Sequence, residues 1–225
     1  MELVELQQRL RQISAGGNLA WGKVSSGFPE LDAVLSEGGF HRGTLVEWLA
    51  AEPGAGATQC ALKAAVEAMR VERPLVIIDV YGTFHPPGLR DRLEWSRVLL
   101  VRCRTQDETA WSVDQALRTS GVGAVLVPFH REDERQMRRW QLAAERGGTL
   151  GLVVRHLSRQ PEACFSNWRF EVGGIATSEG RRLHIKVLRS RQGGRGTEIE
   201  VSLDDHANSL PTSVAFPSLR GVARS

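Results

Sequence analysis

The sequence predicts an α/β protein: a mostly parallel sheet with helices on both faces, followed by a C-terminal antiparallel β-hairpin region. Three observations predict it. Short apolar runs alternate with amphipathic stretches of helical length between about residues 43 and 157, the pattern of strand–helix crossovers. A glycine-rich stretch, "AEPGAGATQ" (51–59), separates one such run from the helix-like "CALKAAVEAM". Beyond residue 166 the helical periodicity stops and three strand-like runs follow.

The elements follow in order. Leu3, Leu6, Leu10 and Ile13 recur at spacings of 3, 4 and 3, one apolar stripe on a short helix. "SAGGN" breaks it, so residues 1–17 read as an arm separate from a core over 18–205. The stripe either folds back on its own domain or docks on a partner. In "SSGFPELDAVLSEGGF", Ser25 or Ser26 is expected to cap a short helix, with Glu30 and Asp32 near its positive end and Gly38 and Gly39 stopping it. "GTLVEWL" is a buried strand. A helix from about Thr58 to Arg70 follows the glycine stretch, and Pro74 precedes a second strand, "LVIID". "RVLLVRC" is a third strand. Residues 107–119 form a helix with Ala110, Trp111, Ala116 and Leu117 apolar, and "VGAVLVPF" is a fourth strand. "EDERQMRRWQLAAER" puts Met137, Trp140 and Ala144 on one helix face, closed by Gly147 and Gly148. "TLGLVVRHL" is a fifth strand. "NWRFEVGGI", "RRLHIKVLRS" and "TEIEVSL" read as the hairpin region, and residues 206–225 as a disordered Pro/Ser/Arg-rich tail.

Composition narrows the class. The chain has 225 residues and 41% apolar content, enough for one substantial core. Its charged N-terminus does not read as a secretory signal, and runs such as "AVLVPF" are far too short to span a bilayer. Cys60, Cys103 and Cys164 show no C-x-x-C pairing, which suits free thiols in a reducing cytoplasm. The histidines do not fall at zinc-ligand spacing, so no metal site is expected. Net charge is +3 but unevenly spread: residues 1–80 hold seven Lys/Arg against ten Asp/Glu, while Arg181 to Arg195 hold six cations and no acid.

The glycine stretch has the layout of a phosphate loop without its chemistry. Against G-x-x-x-x-G-K-[ST], setting Gly56 as the last glycine puts Ala51 at the first, Ala57 at the lysine and Thr58 at the hydroxyl. Gly54, Gly56 and Thr58 keep backbone N–H groups and a hydroxyl for an anion at the helix start, but Ala57 brings no charge to it. A dinucleotide fingerprint fails as well, because its third glycine is Gln59. An ATPase also needs a carboxylate at the end of a later strand. The fourth strand ends in Pro128 and Phe129, and Asp79 of the second strand reads as a structural acid inside that strand.

The run "VSSGFPELDAVLSEGGFHRGTLVEWLAAEPGAGATQCAL" resembles the opening of the RecA-like recombinases, and "LVIIDVYGTFHP" and "DQALRTSGVGAVLVPF" resemble their later strands in the same order. The resemblance implies a RecA-like, phosphate-loop type of sheet. It sets Ala57 at the phosphate lysine, Tyr81 at the catalytic glutamate and Pro128 at the magnesium-linked aspartate, so it implies a non-enzyme with no cofactor. Within that superfamily the "PPGL" loop, "RVLLVR" and "RRWQLAAERGGTLGLVVR" are most similar to the ImuA family, over roughly residues 18–203. That resemblance implies an accessory role in SOS mutagenesis and translesion DNA synthesis, in the cytoplasm at the nucleoid. The partners it implies are an ImuB-like inactive Y-family polymerase homologue and an error-prone C-family polymerase, with RecA and single-stranded DNA as further candidates. In RecA-like proteins the N-terminal helix packs on a neighbour, which makes Leu3, Leu6, Leu10 and Ile13 interface candidates.

Arg181, Arg182, Lys186, Arg189, Arg191 and Arg195 are the DNA-binding candidates. If Leu183, Ile185 and Val187 face the core, Arg182, His184, Lys186 and Leu188 face outward. A solvated basic hairpin explains the same block. Two other functions fit the scaffold. One is a nucleotide-binding ATPase with displaced catalytic residues, although Lys63 lies about two helical turns past the loop. The other is a cell-division inhibitor of the SulA type, which the hairpin region counts against.

Overall fold

A computed structural model describes residues 21–35, 37–69, 73–80, 82, 84, 93–129, 134–158, 165–177, 180–190 and 195–203. The N-terminal stripe (Leu3, Leu6, Leu10, Ile13), Tyr81, Cys164, Arg191 and the tail 206–225 lie outside them. The elements run β1 (Lys23–Val24), α1 (Pro29–Val34), β2 (Phe40–His41), β3 (Leu45–Ala50), α2 (Ala57–Met69), β4 (Leu75–Asp79), β5 (Val98–Arg102), α3 (Gln106–Arg118), β6 (Ala124–Pro128), α4 (Glu134–Gly147), β7 (Leu150–His156), β8 (Trp168–Thr177), β9 (Gly180–Ser190) and β10 (Glu198–Ser202).

Eight strands form one sheet in the order β10-β9-β8-β3-β7-β6-β4-β5, and β1 pairs with β2 apart from it. β3 to β8 are parallel, while β9 and β10 add antiparallel pairs at one edge. The expected late hairpin region is therefore an extension of the main sheet rather than a separate layer. β3, which carries the glycine stretch at its carboxyl end, lies between β7 and β8 in the middle of the sheet.

Strand alternation builds two cores. On one face Val46, Trp48, Leu75, Ile77, Leu126, Leu152, Phe170 and Ile185 pack with α1 and α2. On the other, Leu45, Val76, Ile78, Val125 and Val153 pack with α3 and α4 through Val113, Leu117, Met137, Trp140 and Ala144. Both faces are covered, so β4 and β6 are nearly continuous apolar runs rather than alternating ones, and β3 is such a run broken by Glu47. The first core holds an aromatic stack: Trp48 and Phe170 ring centroids are 4.7 Å apart, and Trp168 and Phe170 are 5.8 Å apart with nearly parallel planes. Arg42, buried, clips this layer to the rest: its guanidinium donates to the Ala68 carbonyl at the end of α2 and to Gly123 before β6. Burial, and then the nearby Arg73, pull its pKa below the ordinary arginine value.

Two local expectations are corrected. Phe28, not Ser25 or Ser26, is the N-cap residue of α1 and makes no side-chain cap. The serines instead grip Asp32, the Ser25 hydroxyl donating at 2.5 Å and the Ser26 N–H at 2.8 Å, which ties the turn to the first helical turn. The buried face of α3 is Thr109, Val113, Asp114 and Leu117, not the Ala110–Trp111 side, and Trp111 is 63% exposed. α3 must face both the sheet and α4, and Asp114 takes the second contact by pairing with Arg139. Trp140 is a core residue, as its place beside Met137 and Ala144 predicts, and Trp168 is buried as well.

Candidate functional site

The carboxyl ends of the parallel strands lie along one edge of the sheet, and the glycine loop leaves β3 at that edge. The chain leaves β3 at Ala50, and the Ala51 N–H donates to the Val172 carbonyl of β8. Gly54 and Gly56 hold φ of +80° and +99°, backbone that favours glycine. α2 begins at Ala57, and its first turn carries no acidic residue, so the positive end of the helix is not offset by its own side chains. Gly54 is exposed, Thr58 is half-buried, and Ala57 is buried under the loop. The stretch joins a strand to a helix through two left-handed glycines, and a buried methyl stands at position 57.

The ends of β6 and β4, two and three strands along the sheet from β3, are engaged in packing and pairing. Pro128 closes β6 opposite Val154 of β7, beyond the last residue that β6 pairs with β4. A proline is tolerated there because no ladder N–H is needed on that side. Asp79 is the last residue of β4 rather than an interior one, and it is 1% exposed. Its carboxylate lies 3.8 Å from Arg102 Nε at the end of β5 and accepts a 3.4 Å hydrogen bond from the Phe84 N–H. Lys63 is engaged elsewhere, its ammonium 4.6 Å from the centre of the Phe28 ring.

The basic block divides into parts with different surroundings. Leu183, Ile185 and Val187 are fully buried, as expected from the alternation. Arg181, at the start of β9, reaches back to the loop and donates from Nη2 to the Gly54 carbonyl. Arg182 lies 3.7 Å from Glu200, and Lys186 2.6 Å from Glu198, both acids on β10. Hydrogen bonding and charge from Lys186 hold the Glu198 carboxyl below the usual range, and the same contact raises Lys186. His184 Nε2 sits 3.2 Å from Glu198 as well. β10 therefore lays an acid ladder along the cations of β9. Arg189 is half-buried and Arg195 exposed, at the end of the hairpin away from Arg181.

One charged cluster has no counterpart among the expected site residues. Glu47, fully buried in β3, accepts hydrogen bonds from Arg155 of β7 (Nε 3.1 Å, Nη2 3.0 Å) and from Arg169 Nη2 of β8 (3.0 and 3.3 Å). The signal was in the sequence: each charge interrupts an apolar run, in "TLVEWL", "LGLVVRHL" and "NWRF". A charge inside a buried strand needs a partner, but which strands become neighbours is a property of the topology.

No protein-family model matches the chain, and no curated protein matches it. Among the described residues, no three His, Cys, Asp or Glu side chains are grouped as a metal site, and no helix is long and apolar enough to cross a membrane.

Proposed function

We propose that this chain is a RecA-like accessory protein without ATPase activity, similar to the ImuA family and acting in SOS mutagenesis and translesion synthesis. The observation that carries the reading is the glycine loop. It keeps the strand–loop–helix frame and its left-handed glycines at the end of the central strand β3. The groups around it that would handle a nucleotide are absent or engaged: Ala57 is buried, Pro128 ends β6, and Asp79 faces Arg102. The Arg181 contact to Gly54 adds a protein group where a ligand would otherwise approach. On this reading the scaffold works through protein contacts, with an ImuB-like polymerase homologue, a C-family polymerase and RecA as the partners to test, and at the nucleoid. Single-stranded DNA is met by Arg189, Arg191 and Arg195 more than by Arg182 and Lys186, whose charge β10 offsets.

The experiment has two arms. ATP binding and hydrolysis are measured on the purified chain. The chain is then mixed with the ImuB-like homologue and the C-family polymerase, and the complex is weighed. No turnover together with a stable complex is the expected result. ATP turnover would overturn the non-catalytic reading, and the lack of any complex would overturn the accessory role. The nucleotide-binding alternative needs Arg181 to leave the Gly54 carbonyl and turn its cation to a phosphate. Tight ATP binding lost in Arg181→Ala would select it.

A further inference from the structure

The retained glycines have a use that involves no ligand. A Cβ built on Gly56 would lie 2.6 and 2.9 Å from the two methyl carbons of Leu183 on β9. Leu183 is fully buried in the α2-side core, so its methyls have little room to yield. Two residues earlier, Arg181 donates to the Gly54 carbonyl, passing Gly174 of β8, whose Cβ position is 3.9 Å from Nη2. The Val172 carbonyl of β8 holds Ala51 at 2.9 Å, and the Arg181 carbonyl in turn accepts from Leu203 N–H, just past β10, at 3.1 Å. The loop thus touches both arms of the β8–β9 hairpin, and the hairpin holds β10.

We infer that the glycine loop is the seat of the β8–β9 hairpin, with Gly56 required for the close approach of Leu183, so that loop conformation and hairpin position change together. Gly56 is then kept for packing as well as for its backbone angle. The seat also sets the position of the outward row Arg182, His184 and Lys186. Any occupant of the loop that takes the Gly54 carbonyl's surroundings has to displace Arg181 and loosen that row.

Gly54 provides a matched control. Its φ of +80° is also left-handed, but a Cβ there meets nothing within 4 Å. The test introduces Gly56→Ala and Gly54→Ala into the wild-type chain and into Leu183→Val, and compares urea midpoints. Backbone strain is the same in both backgrounds and cancels in the cycle. Gly56→Ala is expected to lower the midpoint at least twice as much in the wild-type background as in Leu183→Val, and Gly54→Ala to lower it equally in both. Equal drops for Gly56→Ala in the two backgrounds would overturn the inference. Should Gly56→Ala fail to fold, amide exchange in Leu183→Val decides. Faster exchange at the Ala51 and Cys60 amides, with the β4–β6 amides unchanged, supports the seat; unchanged exchange at Ala51 and Cys60 overturns it.

Discussion

Removing the Glu47 carboxylate would take a shared acceptor from two buried guanidinium groups. Arg155 and Arg169 side chains are 3% and 10% exposed, and Glu47 accepts two hydrogen bonds from Arg155 and two from Arg169. In Glu47→Ala both cations lose this acceptor and face each other across β3 in a medium of low dielectric. Breaking a buried pair by deleting one partner costs about 3–5 kcal/mol, against a total stability of about 5–15 kcal/mol for a domain. With a urea m-value of about 2–3 kcal/mol/M, the midpoint falls by about 1–2.5 M. The assay is equilibrium urea unfolding followed by tryptophan fluorescence, since Trp48 sits one residue away in the α2-side core. The companion variant Glu47→Leu/Arg155→Met/Arg169→Met removes all three charges and is expected to stay within about 2 kcal/mol of the parent, because desolvation of the cluster offsets most of its attraction. A loss below about 1 kcal/mol in Glu47→Ala, or a triple variant less stable than the single one, would refute the reasoning.

Three further predictions concern other charges and thiols. Burial raises the Asp114 carboxyl, but hydrogen bonds from Arg118 and Arg139 outweigh it and hold the group below the ordinary value. A depressed carboxylate stabilises above its unfolded pKa of about 3.9 and loses that contribution as pH falls through the folded value. Urea midpoints measured downward from pH 5 should therefore drop less steeply in Asp114→Asn than in the parent. Burial pushes the Cys60 thiol well up, so alkylation at pH 8 followed by mass mapping should label Cys103 and spare Cys60 until urea unfolds the chain. For single-stranded DNA, a plot of log affinity against log salt should flatten by about 0.7 for each phosphate that a substitution leaves without its cation. Arg189→Ala/Arg191→Ala/Arg195→Ala should flatten it more than Arg182→Ala/Lys186→Ala.

Much of the fold was legible because strand and helix periods are local. The apolar run 45–50, the glycines at 54 and 56, and the switch to alternating strands after residue 166 each specify an element without reference to distant residues. The register of β9 was legible for the same reason, since Leu183, Ile185 and Val187 are every second residue. Trp111 is exposed although it is apolar, because hydrophobicity alone does not say which side of a helix meets its neighbour. α3 gives that side to Thr109, Val113 and Asp114. The capping role expected of Ser25 and Ser26 failed because the helix starts later, at Pro29, and the two hydroxyls accept from the Gly27 and Phe28 N–H groups in the preceding turn.

The sequence by itself determined the α/β class, the place of the glycine loop between a strand and a helix, and the absence of a lysine at position 57. Those follow from residue types and short spacings. Only the tertiary structure decided what surrounds the loop and the charges. Sheet order brought Arg155 and Arg169, more than a hundred residues away, onto Glu47; it set β10 acids beside β9 cations and laid Leu183 and Arg181 against Gly56 and Gly54. Neighbours across a sheet are chosen by topology and chain closure, and electrostatics and packing act only between neighbours. The surroundings of the glycine loop were therefore set by strands that come long after it in the chain.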